Sequence, residues 1–234
     1  METLNWPGGR NVRDLGGRQL RGGGTTRHGR VFRSGAPEYL TDDGWAKAKE
    51  AGVRTVIDLR NAPAETQRRP EHPAIRSESL EGLVFVNAPT EDPEDTEFLA
   101  VCGPYLDHPR AWPDNVRLAH DRIERVFQAI DEADGPVLIH CAGGRDRTGM
   151  ISAMLLKAAG ATEQAIIDDY ADGWRGAAAY GGHAWVYDLD QKGWRSQEKT
   201  PEDPEPKIDE RIPALREWIN LPDSIGERFG RLLR

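Results

Sequence analysis

The sequence predicts an α/β fold with a central, mostly parallel sheet flanked by helices. Three observations carry that expectation. Between residues 53 and 160, short apolar runs alternate with stretches of helical periodicity, the pattern of strands joined by crossover helices. Two of those runs read as strands of such a sheet: 53–60 is a buried strand by its β-branched content and flanking turns, and 137–139 is fully apolar. The chain has 234 residues, 38% of them hydrophobic, which is enough to bury a sizeable core.

Residues 1–30 are rich in Gly and Arg and read as turns with short strands. Val31 and Phe32 open a strand that ends at Arg33, Ser34 and Gly35. Thr41 is placed to N-cap a short helix over 42–50, with Asp42 and Asp43 in the first turn where the helix dipole favours acids, and Gly52 closes it. A buried strand follows over 53–60, and a second strand candidate over 83–86. Residues 87–115, rich in Pro, Asp and Glu, read as a long loop with scraps of helix. Leu118, Ile123, Val126, Phe127 and Ile130 recur at helical spacing and predict an amphipathic helix over 117–131. After an Asp134-Gly135-Pro136 turn, the 137–139 strand runs straight into His140 and Cys141. A buried helix is expected over 150–159, capped by Gly160, and another over 161–171. Residues 172–206 read as an irregular insert or lid, and 207–234 as one or two closing helices. No repeat or boundary divides the chain, so residues 1–234 are expected to form one domain.

With 31 Lys+Arg against 39 Asp+Glu the net charge is −8, which argues against a nucleic-acid partner. An anionic substrate stays open, because a local loop can supply the positive field. Cys102 and Cys141 are too few for a disulfide framework and fit a reduced compartment. No window has the apolar length of a membrane span, and the opening METLNWPGGR lacks the basic start and apolar run of a secretory leader. A cytoplasmic protein without stable membrane insertion is therefore expected. The six histidines show no metal-ligand spacing, so neither metal nor cofactor is expected.

The chemistry concentrates in HCAGGRDRTG, residues 140–149, between the apolar strand and the apolar helix. Such a loop turns backbone N–H groups inward, and the helix N-terminus adds partial positive charge, which together make an anion site. Ala142, Gly143, Gly144, Arg145, Asp146, Arg147 and Thr148 form its candidate binding surface. The field that holds a phosphate also favours a thiolate at Cys141. Arg147 offers a planar fork for two phosphate oxygens, and Thr148 a hydroxyl. An ordinary strand-to-helix turn with a core cysteine explains the apolar flanks, but not three consecutive charged residues in a glycine loop. The Gly-Lys-Ser/Thr end of a nucleotide-binding loop is absent.

HCAGGRDRTG resembles the signature of the cysteine-dependent protein phosphatases, His-Cys, five residues, Arg, Thr/Ser, Gly. It is most similar to the bacterial tyrosine/serine phosphatases, whose loop reads HC-x-x-GKDRTG. The resemblance extends in order along the chain. Residues 11–17, NVRDLGG, resemble N-F-R-D-L-G-G, residues 32–35, FRSG, resemble Y-R-S-G, and residues 58–60 end a strand in D-L-R. Asp168, Asp169 and Tyr170 resemble the A-D-Y that follows the next helix. Two departures stand out: Arg145 replaces the usual Lys, and 172–206 does not look like the helical lid of that family.

The resemblance implies a dual-specificity-like cysteine-phosphatase fold and two-step phosphomonoester hydrolysis through a phosphocysteine on Cys141. Phosphotyrosine is the first expected substrate, with phosphoserine, phosphothreonine and phosphoinositides in range. The partner is then a phosphorylated protein or a small phosphorylated substrate. A metabolite or inositol-phosphate phosphatase and a phosphate-binding pseudophosphatase are the rival readings. For the general acid, Asp146 inside the loop comes first. Asp58, at the end of a buried strand, comes second, and the acids of 91–114 (Asp92, Asp95, Asp107, Asp114) third. Asp58 has an alternative reading as a salt bridge to Arg60 or an N-terminal arginine, and Asp146 as a brace for the loop. His140 is expected to orient the Cys141 backbone.

Weaker patterns remain. Trp174, Tyr180, Trp185, Tyr187 and Trp194 either wall a substrate pocket or, as is more usual, anchor a loop onto the core. Arg10, Arg13, Arg18, Arg21, Arg27 and Arg30 form a basic run, read as a solvated surface or as a recruiter of polyphosphorylated groups. Cys102 is either an inert thiol or a disulfide partner for Cys141.

Overall fold

The strand 137–140 is apolar enough to be covered on both faces, and the sheet is laid down around it. The computed structural model describes residues 3–62, 65–66, 68–188, 191, 193–223 and 225–234, with the side chains of 182–187, 193, 194, 196 and 199 outside the description. The main sheet has five strands: β1 (Arg13–Asp14), β2 (Val31–Ser34), β3 (Thr55–Asp58), β4 (Val84–Asn87) and β5 (Val137–His140). Their order is β1-β2-β5-β3-β4, and every neighbouring pair is parallel except β1 with β2. The predicted α/β class and mostly parallel sheet are therefore what the chain adopts.

Strand alternation divides the core. Val56, Leu138 and Phe32 face one side with Trp6 and Trp45, where α1 (Asp42–Glu50) packs. Ile57, Ile139 and Val31 face the other. There they meet α5 (His120–Asp131), through Ile123, Phe127 and Ile130, and α6 (Asp146–Ala159), through Ile151 and Leu155. The same alternation sends Cys141 to the α6 face. β2 and β3 lie parallel on either side of β5, in register at Ser34, His140 and Asp58. The loop after β5 thus leaves the middle of the sheet at its carboxyl edge, where parallel sheets place their sites. Thr41 caps α1 by accepting from the Gly44 N–H, and Gly160 closes α6 at φ 85°, both as expected.

The structure corrects three expectations. Residues 87–115 are more helical than predicted: they hold α3 (Thr96–Cys102), two single 3₁₀ turns and α4 (Trp112–Leu118), with α2 (Ser77–Leu80) before β4. The prolines 104, 109 and 113 that suggested a loop each occupy a first helical turn, where no N–H is needed. Residues 172–206 are not irregular. The helix expected over 161–171 is α7 (Glu163–Ala178), followed by an antiparallel hairpin, β6 (Gly182–Asp188) and β7 (Gly193–Lys199), and then by α8 (Glu205–Ile219). Gly173 and Gly176 sit inside α7, where other side chains need the space. A Cβ at 173 would come within 2.7 Å of Arg33 Nη2, and one at 176 would collide with Asn11.

The third correction concerns the basic N-terminal run. Arg21 and Arg27 are exposed, but Arg13 and Arg18 turn inward and are buried with Arg33. All three feel the charge of Asp169 on α7, and two of them bond it. Arg18 Nη2 lies 2.9 Å from Asp169 Oδ1, and Arg33 bonds the other oxygen. Burial pushes Arg13 down to about 9, with the neighbouring Arg33 adding to the fall. Among the described residues no helix is long and apolar enough to cross a membrane.

Burial raises the pKa of Asp169, but Arg33, Arg13 and Arg18 outweigh it and hold the carboxyl below its usual range. A depressed carboxyl stabilises the fold above its unfolded pKa, and that contribution is lost as pH falls through the native value. Asp169→Asn, which leaves buried Arg18 and Arg33 without the carboxylate they share, is expected to lower stability by about 3–5 kcal/mol at pH 7 and to flatten the acid limb. Urea unfolding at neutral and acid pH measures both, and a wild-type midpoint in the variant would refute the assignment.

Candidate active site

Cys141 follows β5 directly and is buried. The loop 141–145 then turns into α6, most of which is buried. Three successive carbonyls of that turn are tied on the outside. Ala142 O accepts from Ala36 N at 2.9 Å, and Gly143 O from Asn11 Nδ2 at 3.0 Å. Gly144 O accepts from Asn11 Nδ2 at 3.1 Å and from Arg33 Nη2 at 2.7 Å. A trans peptide points its N–H opposite to its C=O. The N–H groups of Gly143, Gly144 and Arg145 are therefore directed into the loop. Gly144 sits at φ 65°, and a Cβ there would lie 2.5 Å from the Ser34 carbonyl, so the turn requires glycine.

Arg147 stands in the first turn of α6. Its Nη1 and Nη2 bond Glu65 Oε1 and Oε2 at 3.0 and 2.7 Å, and Glu91 Oε2 lies 3.7 Å from Nη1. Burial opposes the guanidinium charge, but Glu91, Glu65 and Cys141 hold it firmly protonated. Glu91 is buried, and burial raises it to about 7 despite Arg147 beside it. Sequence reasoning missed both glutamates: Glu65 lies in a polar loop without periodicity, and Glu91 is one of many acids in 87–115.

Asp146 begins α6, is half-buried, and accepts from Arg145 Nε at 2.8 Å. Arg145 in turn lies over the Trp174 indole, 4.1 Å from its centroid, with Arg211 at 4.6 Å. Asp58 accepts from Arg60 through both oxygens, at 2.9 and 2.7 Å, and lies 3.8 Å from His140 Nδ1. Burial raises Asp58, but His140 and Arg60 overcome it and keep the carboxyl below its usual range. Asp92 pairs with Arg122 at 2.6 Å and accepts from Glu94 N. Both acids thus have cationic partners of their own. His140 is fully buried, which lowers its pKa, and its Nδ1 lies 3.4 Å from the Cys141 carbonyl. The Thr148 hydroxyl is buried without a hydrogen-bond partner among the described residues.

Trp174 is an anchor, buried against Tyr170, while Tyr180 is exposed. The side chains of Trp185, Tyr187 and Trp194 lie outside the described residues. Cys102 belongs to a separate small cluster with Phe98, Ala111 and Ala119, and burial raises its thiol to about 11. A cavity of about 300 Å³ opens on the α1 face beside Trp45, Val56, Asp58, Phe85 and His140, and it does not include Cys141 or its loop.

Residues 4–183 match the sequence model of the tyrosine phosphatase family. A Cupriavidus necator protein named as a tyrosine-protein phosphatase is 30% identical over 174 residues, 68% of this chain and 59% of its own length. The triple specificity protein phosphatase PtpB of Mycobacterium tuberculosis is 28% identical over 196 residues, 73% of this chain and 68% of its own. The chain thus spans about three-fifths to two-thirds of these relatives. Among solved structures, the Siw14 catalytic core aligns over 97% of this chain and 92% of its own, at 14% identity and a TM-score of 0.46. With the family match covering most of its length, the chain belongs to the tyrosine phosphatase family.

Proposed function

We propose that the chain is a phosphomonoester hydrolase that works through a phosphocysteine on Cys141, foremost on phosphotyrosine. The observation that carries this reading is the buried thiol at the end of β5, inside a loop whose carbonyls are tied outward and whose next helix turn carries Arg147. The name of the mycobacterial relative extends the proposal to a broader range of phosphoryl substrates. The assignment as one domain over residues 1–234, in a cytoplasmic setting, remains part of the same proposal.

The Cys141 thiolate attacks phosphorus in line, the S–P bond forms, and the ester oxygen departs with a proton from a general acid. Water then attacks phosphorus, gives its proton to the same residue, and the S–P bond breaks to release phosphate and thiolate. The loop N–H groups and Arg147 hold the equatorial oxygens throughout. Glu65 engages two of the five N–H groups of Arg147, which leaves an edge for the phosphoryl group while the fork is kept in orientation. The Thr148 hydroxyl, buried without a hydrogen-bond partner among the described residues, is available to donate to the thiolate or to a phosphoryl oxygen. Asp146 is the general acid in this reading because it lies in the loop itself, between the nucleophile and Arg147; like Asp58 and Asp92 it has an arginine partner, Arg145. The chemistry asks for no metal.

Cys141→Ser is expected to abolish hydrolysis of phosphotyrosyl peptide while retaining phosphate-analogue binding; near wild-type turnover by the variant would end the covalent reading. Arg147→Lys keeps charge but loses the fork, and its kcat/KM should fall by about two orders of magnitude or more. A silent Arg147→Lys would move the phosphate grip to another residue.

Asp146→Asn separates acid from brace by leaving group. Serine phosphate leaves as a basic alkoxide, whereas para-nitrophenol needs little help. As general acid, Asp146 makes the variant lose far more rate on phosphoserine than on para-nitrophenyl phosphate. Equal loss on both, with weaker oxyanion binding, would identify a brace instead.

A further inference from the structure

The back of the loop is as constructed as its front. Asn11 is fully buried at φ 56°, a left-handed backbone that asparagine tolerates better than most residues. Its amide nitrogen donates to the carbonyls of Gly143, Gly144 and Gly173, the last at 2.9 Å, and its oxygen accepts from Arg13 Nη1. One side chain thereby ties the phosphate loop to α7 and to β1. Arg33, on β2, adds the bond to Gly144 O and is itself fixed by Asp169.

Stability alone gives a poor account of this arrangement. Arg13, Arg18 and Arg33 face Asp169 and Asp172, so cations outnumber carboxylates in a buried place. Arg13 Nε and Nη2, Arg18 Nε and Arg33 Nε are buried without hydrogen-bond partners among the described residues. Well-packed apolar residues would generally stabilise such a site as well or better. Groups that break local rules in this way are most often retained for a site they serve. Here the side chains converge on Gly143 and Gly144, whose peptides must present N–H inward.

We propose that Asn11 and Arg33 are positioning residues for phosphate binding, which act from behind the loop by holding its carbonyls outward so that its N–H groups face the anion. Arg13 and Asp169 hold these two in place. The inference rests on the reading of the loop as an oxyanion site, and it adds a second layer that never touches the substrate. Asn11 governs the peptide planes 143–144 and 144–145, and Arg33 the latter alone, so Asn11 has the larger effect.

Sodium tungstate, titrated calorimetrically into the full chain, tests this alongside thermal melts and kinetics on para-nitrophenyl phosphate. Asn11→Asp keeps shape and the contact with Arg13 but sets acceptors against the loop carbonyls. Asn11→Gly removes the side chain at a φ that glycine accepts without strain. Both are expected to bind tungstate at least about tenfold more weakly per folded molecule, with kcat reduced as well. Arg33→Lys, which keeps charge and one donor, should show a smaller loss. Folded Asn11 variants that melt lower yet bind tungstate as wild type would overturn the proposal, because a merely structural role predicts that result. If neither Asn11 variant folds, Arg33→Lys decides by the same criterion, with wild-type affinity again overturning it. Failure of wild type to bind tungstate at all would instead refute the oxyanion reading itself, and the brace with it.

Discussion

The outward-turned carbonyls of Ala142, Gly143 and Gly144 are the constraint on which the rest of the molecule depends. A loop that aims its N–H groups at a central anion must find acceptor partners for the opposite side of every peptide, and in a buried setting those partners have to be protein groups. This chain supplies them from the backbone after β2, from Asn11 just before β1 and from Arg33 within β2. The antiparallel pairing of Arg13 with Arg33 brings Asn11 and Arg33 to the same place. α7 then closes over them, with Gly173 and Gly176 leaving room and Asp169 supplying the anion.

At the front of the loop, charge is rationed by pairing. Arg147 carries its fork between Glu65 and Glu91, while Arg145 is drawn aside onto Trp174 and Asp146. Two arginines two residues apart therefore have different surroundings: one is oriented by a bidentate carboxylate, and the other is stacked on an indole. The substitution of Arg for the Lys common in similar loops has a physical correlate here. A planar guanidinium lies flat over an aromatic ring in a way an ammonium does not. Glu91 has a different character, since burial lets it keep its proton up to about 7. It adds little negative charge to the loop in mildly acid solution and more above neutrality.

Much of this was legible in the sequence, and the boundary of legibility has physical causes. The β5 strand, the glycine loop and α6 announce themselves because their apolar runs and turn residues are local signals. Thr41 and Gly52 mark the ends of α1 for the same reason. The course of 172–178 was hidden because Gly173 and Gly176 obey a tertiary demand from Arg33 and Asn11 that no local pattern expresses. The prolines of 104–113 misled for the opposite reason, since a first-turn proline and a loop proline look alike until the hydrogen bonds are known. Glu65, some 80 positions from Arg147, is a long-range partner in a segment without periodicity. The NVRDLGG segment was visible only as a resemblance, and its physical role emerges once Asn11 is seen against Gly143 and Gly144.

The distribution of charge also reconciles an acidic chain with an anionic ligand. The net charge of −8 is a sum over the whole chain. Exposed charges are screened within about 8 Å at physiological ionic strength, so most of that excess is weak at the loop. The arginines behind Gly144 are buried, and their field is screened far less. A few internal cations beside inward N–H groups thus outweigh a larger number of distant carboxylates. The same burial explains why the cluster needs Asp169: without it, three neighbouring guanidinium groups would repel one another out of the positions from which Arg33 holds the loop and Arg13 holds Asn11.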